Sequence, residues 1–172
     1  MSGPFSDDER FLLTSLPVKV AEMMAGIDDT GRLGLTKEMI ALSRELTEAA
    51  NRFPGNTIID AALPDFNDDV KTAEATRDLH KRRKRERTAE TINTPLDRRA
   101  HTVLLAHRVD QLLRDKADQV DGAEYRQWVV GVGRRVAEAA KAGGFLSRES
   151  VVSEGERRAL SEIAEALGAD GT

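Results

Sequence analysis

Apolar residues near the start of the chain recur at three- and four-residue steps. Phe11, Leu12, Leu16, Val20, Met23 and Met24 form one stripe, and this spacing predicts a helix over 7–25. Ser6 followed three residues later by Glu9 reads as a capping box at its start. Pro17 lies inside and is expected to kink the helix or divide it. Gly26 can supply a left-handed turn at its end. A polar loop over 27–35 carries Gly31 and Gly34. Thr36 then reads as the cap of a second helix to about Arg52, with Met39, Ile40, Leu42, Leu46 and Ala50 as its apolar face. Pro54-Gly55 ends it. Asn56 can cap a short helix over 57–63, which Pro64 stops.

The pattern weakens over 67–92. Val70, Ala73 and Leu79 give only a thin stripe, and 80–87 contains no apolar residue. Such a stretch reads as a solvated helix face or an arm projecting from the body, with 78–92 as the protruding part. Thr94 and Pro95 restart the chain in the N-cap and first helical positions. A helix to about Val120 follows, with Val103, Leu104, His107, Leu112 and Leu113 as its apolar side. Asp121 reads as the cap of a helix over 122–142 with the stripe Tyr125, Trp128, Val129, Val132 and Val136. Gly143-Gly144 ends it. Ser153 with Glu156 forms a second capping box, and the last helix runs to Leu167 before Gly168. No stretch alternates with period two, so no strand is expected. The sum is an all-α fold: a compact bundle of about seven helices in one domain over 1–172.

A weak internal repeat runs through this pattern. Val20-Ala21-Glu22 leads to Gly26, a turn through Gly34, Glu38, and Ala41-Leu42-Ser43. Val136-Ala137-Glu138 leads to Gly143, a turn, Glu156, and Ala159-Leu160-Ser161. The two copies suggest helix–turn–helix halves, about 6–53 and 122–168, packed as pseudo-symmetric partners.

Composition agrees with a helical core. Aromatics make up only 4% of 172 residues, so aliphatic side chains and alanine must fill the interior, and a β-sandwich would want more β-branched and aromatic residues. A net charge of -4 predicts no global attraction to nucleic acid or anionic lipid. The absence of cysteine excludes disulfides, thiolate zinc sites and cysteine nucleophiles. The apolar stretch 11–27 is broken by Pro17, Lys19 and Glu22. It is too short and too charged to span a bilayer, which points to a cytoplasmic protein with no membrane partner.

The acidic capped start Phe5-Ser6-Asp7-Asp8-Glu9-Arg10 with Pro17 behind it, the paired helix–Gly turn–Glu–helix phrases, and the ending Glu162-Ile163-Ala164-Glu165-Ala166-Leu167-Gly168 resemble the TerB-like family. These all-helical proteins are named after a tellurite-resistance protein. The likeness covers 5–45 and 125–168. It implies a compact helical fold, a link to stress responses and divalent metal held by loop acids. The family's Ala-Asp-Gly turn stands here as Gly26-Ile27-Asp28-Asp29-Thr30-Gly31. The second copy reads Ala142-Gly143-Gly144 with no acid, which argues against a metal site built from both copies.

Candidate chemistry falls in few places. Asp28, Asp29 and Glu38 flank a glycine-bearing loop, and their carboxylates suit hard cations such as Ca²⁺ or Mg²⁺. An EF-hand register started at Asp29 puts Gly31 at position 3 and Ile40 at position 12, so that pattern fails. The plainer reading is that these acids complement a helix N-terminus. Lys81, Arg82, Arg83, Lys84, Arg85 and Arg87 place six cations in seven residues. They could neutralise phosphates of nucleic acid or meet an acidic surface, although no aromatic residue is interleaved for base stacking. The plainer reading is a solvated face paired with Asp78, Glu86 and Glu90. His101 and His107 are six apart, on different faces of one helix, and His80 sits beside the basic run. No Glu-x-x-His phrase supports a di-iron bundle. Gly131-Val132-Gly133 lies inside a helical stripe, where close helix packing explains it better than a nucleotide loop. Tyr125 and Trp128 read as core, with a partner or homodimer surface as the alternative.

No nucleophile, base and acid share a spacing signature, so an enzyme is the weakest expectation. The preferred one is a non-enzymatic, stress-related protein-interaction scaffold with a divalent cation as a candidate ligand. The alternative is an adaptor acting through the basic run 81–87.

Overall fold

The computed structural model describes residues 5–27, 31–63, 95–141 and 152–169. Among these are six helices and no strand: α1 (Asp7–Ala25), α2 (Gly31–Arg52), α3 (Thr57–Ala62), α4 (Pro95–Lys116), α5 (Gln119–Lys141) and α6 (Glu154–Ala166). The seventh expected helix, over 67–92, lies outside the described residues.

Both capping boxes form. The Ser6 side chain accepts from the Glu9 N–H at 3.3 Å, and the Glu9 carboxylate accepts from the Ser6 N–H at 2.8 Å. Ser153 and Glu156 repeat the exchange at the head of α6, at 3.2 and 2.6 Å. The end of α6 is equally defined. Gly168 takes φ +61, its N–H reaches the Glu165 carbonyl, and the Ala169 N–H reaches back to Ala164. This pair of bonds is the Schellman stop, which requires a left-handed residue and so favours glycine. At the end of α2, Pro54 precedes Gly55 at φ +81 and the Asn56 N–H closes on the Phe53 carbonyl at 3.2 Å, a type II turn.

Helix α1 sits at the centre and packs against each of the other five. Leu13, Leu16, Val18, Val20, Ala21, Met23 and Met24 are all buried, so its apolar surface is wider than the single stripe read from spacing, while Phe11 and Leu12 are only half-buried. Helix α5 lies parallel to it. Tyr125 meets Leu13, and eight residues further on Gly133 meets Val20. Helix α4 runs against α1 in the opposite sense: Lys116 binds Glu9 at one end, and Arg98 lies beside Gly26 at the other.

Pro17 neither divides nor ends α1. Proline has no N–H, so the carbonyl four residues back, at Leu13, loses its helical partner. The Tyr125 hydroxyl donates to that carbonyl at 2.7 Å. Tyr125 is fully buried, and burial pushes its phenol pKa up, so the group stays protonated and able to donate. Its ring meets Trp128 edge to face, with centroids 5.6 Å apart. Both rings therefore belong to the core, and the face carrying them is closed to a homodimer partner.

Several boundaries and faces differ from the spacing-based expectation. Gly26 closes α1 at φ -96, ψ 0; its N–H donates to the Met23 carbonyl and the Ile27 N–H to that of Met24, without a left-handed residue. Helix α2 begins at Gly31, so Thr36 and Gly34 lie within it. Glycine in a helix costs only about 1 kcal/mol relative to alanine, which an established helix can absorb. Helix α4 ends at Lys116, and Asp118, not Asp121, caps α5: its carboxylate accepts from the Val120 and Asp121 N–H groups at 2.9 and 3.0 Å. Asp121 instead accepts from the backbone and hydroxyl of Thr57, at 2.8 and 2.6 Å, closing the head of α3. The buried face of α4 is Thr102, Leu105, Ala106, Val109, Leu112 and Leu113, whereas Leu104 and His107 point outward. The two copies of the internal repeat also take unequal neighbours: α2 packs chiefly on α5, and α6 chiefly on α4.

Polar clasps tie the outer helices down. Arg126 donates to Asp110 at 2.8 Å and to the Leu167 carbonyl at 2.6 Å, which joins α5, α4 and the end of α6. Arg99 grips Glu162 through two bonds, of 2.7 and 2.5 Å, and holds that carboxyl below its ordinary pKa. Asn56 caps α3 with its oxygen, while its nitrogen donates to the Asp121 carbonyl and to Glu124.

Two predictions follow from this packing. Tyr125→Phe strands the Leu13 carbonyl in the core and should cost about 1–3 kcal/mol, read as a fall in Tm or in the denaturant midpoint. In a Pro17→Ala background, residue 17 regains an N–H for that carbonyl, so the same substitution should cost less than half as much in a double-mutant cycle. A Cβ on Gly133 would fall 2.7 Å from Leu160 Cδ2 and 2.8 Å from Val20 Cγ1, while one on Gly131 meets nothing within 4 Å. Gly133→Ala should therefore destabilise, by about 1–3 kcal/mol of overpacking. Gly131→Ala should stabilise by about 0.5–1 kcal/mol through helix propensity. Thermal denaturation of the pair checks the sign.

Candidate functional site

Leu42, Glu45, Ala49 and Phe53 follow one another at steps of three and four along α2 and its end, and all four are buried. They form the stripe that faces α5. Glu45 occupies a core position in it with a charged side chain that is only 1% exposed. A lone carboxylate there would carry a large desolvation cost. Two arginines offset it. Arg52, two turns further along the same face, donates from Nη1 to Oε2 at 2.9 Å and from Nη2 to Oε1 at 3.4 Å. Arg135, from α5, brings its Nη1 onto the other side of Oε1. The bond to Glu45 raises the Arg52 pKa above its usual value against the opposing effect of burial. Glu48 joins from the rim, 3.5 Å from Arg52 and 3.9 Å from Arg135.

Above this ion cluster the antiparallel α2 and α5 leave a groove of about 330 Å³. Ala41 and Ala139 line it with small side chains, and Ile40 stands beside them 53% exposed. Arg44, Glu48, Arg135 and Glu138 supply its charges. Arg135 is about half exposed while one of its nitrogens is pinned by the buried carboxylate. A guanidinium held in this way gives up less side-chain entropy when its outward donors bind a partner group. The chemistry on offer is recognition: a small-residue floor for an apolar side chain, edged by charges of both signs.

None of the candidates drawn from the sequence is among the described residues that line this groove. Asp28 and Asp29 lie outside the described residues, as does the side chain of Glu38, although its backbone belongs to α2. The basic residues Lys81, Arg82, Arg83, Lys84, Arg85 and Arg87 also lie outside them, with His80. On α4, His101 is half-buried and His107 exposed, and Asp110 takes Arg126 and Arg114. Among the described residues no three histidines or acids gather as a metal site would require, and no helix is long and apolar enough to cross a membrane. Gly133 is a close-packing position, while Gly131 faces open space.

Glu45 and Arg135 did not stand out in the sequence. Their signal is positional: Glu45 lies three residues after Leu42 and four before Ala49, in phase with the apolar stripe. Arg52, seven residues on, shares that face.

The cluster predicts non-additive energetics. Arg52→Ala or Arg135→Ala alone leaves Glu45 one guanidinium and should cost about 1–2 kcal/mol, near the loss of one charge-assisted bond. The double variant leaves the buried carboxylate without either arginine and should cost more than the sum, approaching the roughly 3–5 kcal/mol of a broken buried pair. Urea denaturation of the four proteins checks this. No protein-family model matches the chain, and neither a curated protein nor a solved structure is significantly similar to it.

Proposed function

We propose that this chain is a helical protein-interaction scaffold of the TerB-like kind, acting in a stress-related setting, whose docking face is the groove between α2 and α5. One observation carries the reading: an exposed isoleucine and two alanines lie beside an arginine that a buried glutamate holds in place. The occupant is an amphipathic helix from a partner protein. Two antiparallel helices present a furrow into which a third helix fits by packing side chains between theirs. The alanine floor lets its backbone come close. Its apolar residue would cover Ile40, and polar residues beside it would meet Arg135 and Glu138.

Ile40→Asp tests this reading, because the side chain is exposed and the change spares the core. Partners crosslinked to the wild-type protein should map to 40–48 and 135–139. Their recovery should fall about tenfold in the variant while its helical circular dichroism and Tm stay unchanged. The same partners recovered at wild-type levels with Ile40→Asp would overturn the proposal. So would partners lost only on neutralising Lys81, Arg82 and Arg83, which would establish the basic-run adaptor in its place.

The cation belongs to the same proposal as a second ligand, held by Asp28, Asp29 and Glu38. Protein purified without chelators should carry a divalent ion in native mass spectrometry, absent from the denatured spectrum. Asp28→Asn with Asp29→Asn should abolish that added mass. An apo mass for the wild type in millimolar Ca²⁺ or Mg²⁺ removes the cation from the proposal and leaves the groove untouched.

A further inference from the structure

We draw no further inference here: the strongest candidate, the outward stripe of Leu96, Ala100 and Leu104 on α4, is an unpartnered apolar face, and nothing in the structure shows what covers it.

Discussion

Around Pro17 helix α1 is closed to water, with Leu13, Leu16 and Val18 all buried, so each backbone group there needs a partner inside the protein. Helix α1 contains a proline and therefore lacks one of its own donors. The bond from the Tyr125 hydroxyl to the Leu13 carbonyl resolves that conflict, and much of the architecture is arranged around it. It fixes the height of α5 against α1, because the phenol reaches only one carbonyl. With that register set, Gly133 falls opposite Val20 and Leu160, where the lack of a side chain lets the three helices close without displacing either. The same register carries Arg126 to Asp110 and to the end of α6, and Arg135 to Glu45. The core and the candidate docking face thus share one alignment.

What could be read in the sequence was what local chemistry alone decides. The bounds of α1, both capping boxes, the Pro54-Gly55 turn, Asn56 as a cap and the stop at Gly168 each depend on residues a few positions apart. The structure realises them. What escaped was decided across space. Asp121 is acidic and precedes a helical stripe, so it looked like a cap for its own helix; the caps are distributed otherwise because α3 lies within reach of it and Asp118 already serves α5. On α4, Leu104 and Leu105 are equivalent by hydrophobicity. Only the positions of α1 and α6 decide which of them turns inward.

Glu45 escaped for a different reason. Hydropathy assigns glutamate to solvent, so spacing alone draws the apolar face through Met39, Ile40, Leu42, Leu46 and Ala50, of which Leu42 lies on the observed stripe. The true stripe is rotated so that Glu45 lies on it. Such a placement is tolerable only where guanidiniums converge, and one of the two comes from a helix about ninety residues away in the chain. The feature that most distinguishes the candidate site was therefore illegible without the fold, even though its residues were in view.

The parallel pairing of α1 with α5 has a kinetic meaning. The two partners that settle the central helix, Tyr125 and Gly133, follow their contacts on it by more than a hundred residues. During synthesis α1 leaves the ribosome long before its proline-orphaned carbonyl can be satisfied, and the side chains it turns toward α5 stay uncovered meanwhile. Local helix formation is fast, but this core cannot close until α5 arrives, and such long-range contacts slow folding. The apolar face that α1 turns to α5 therefore waits for more than a hundred further residues before it is covered, which prolongs the time it can make wrong contacts.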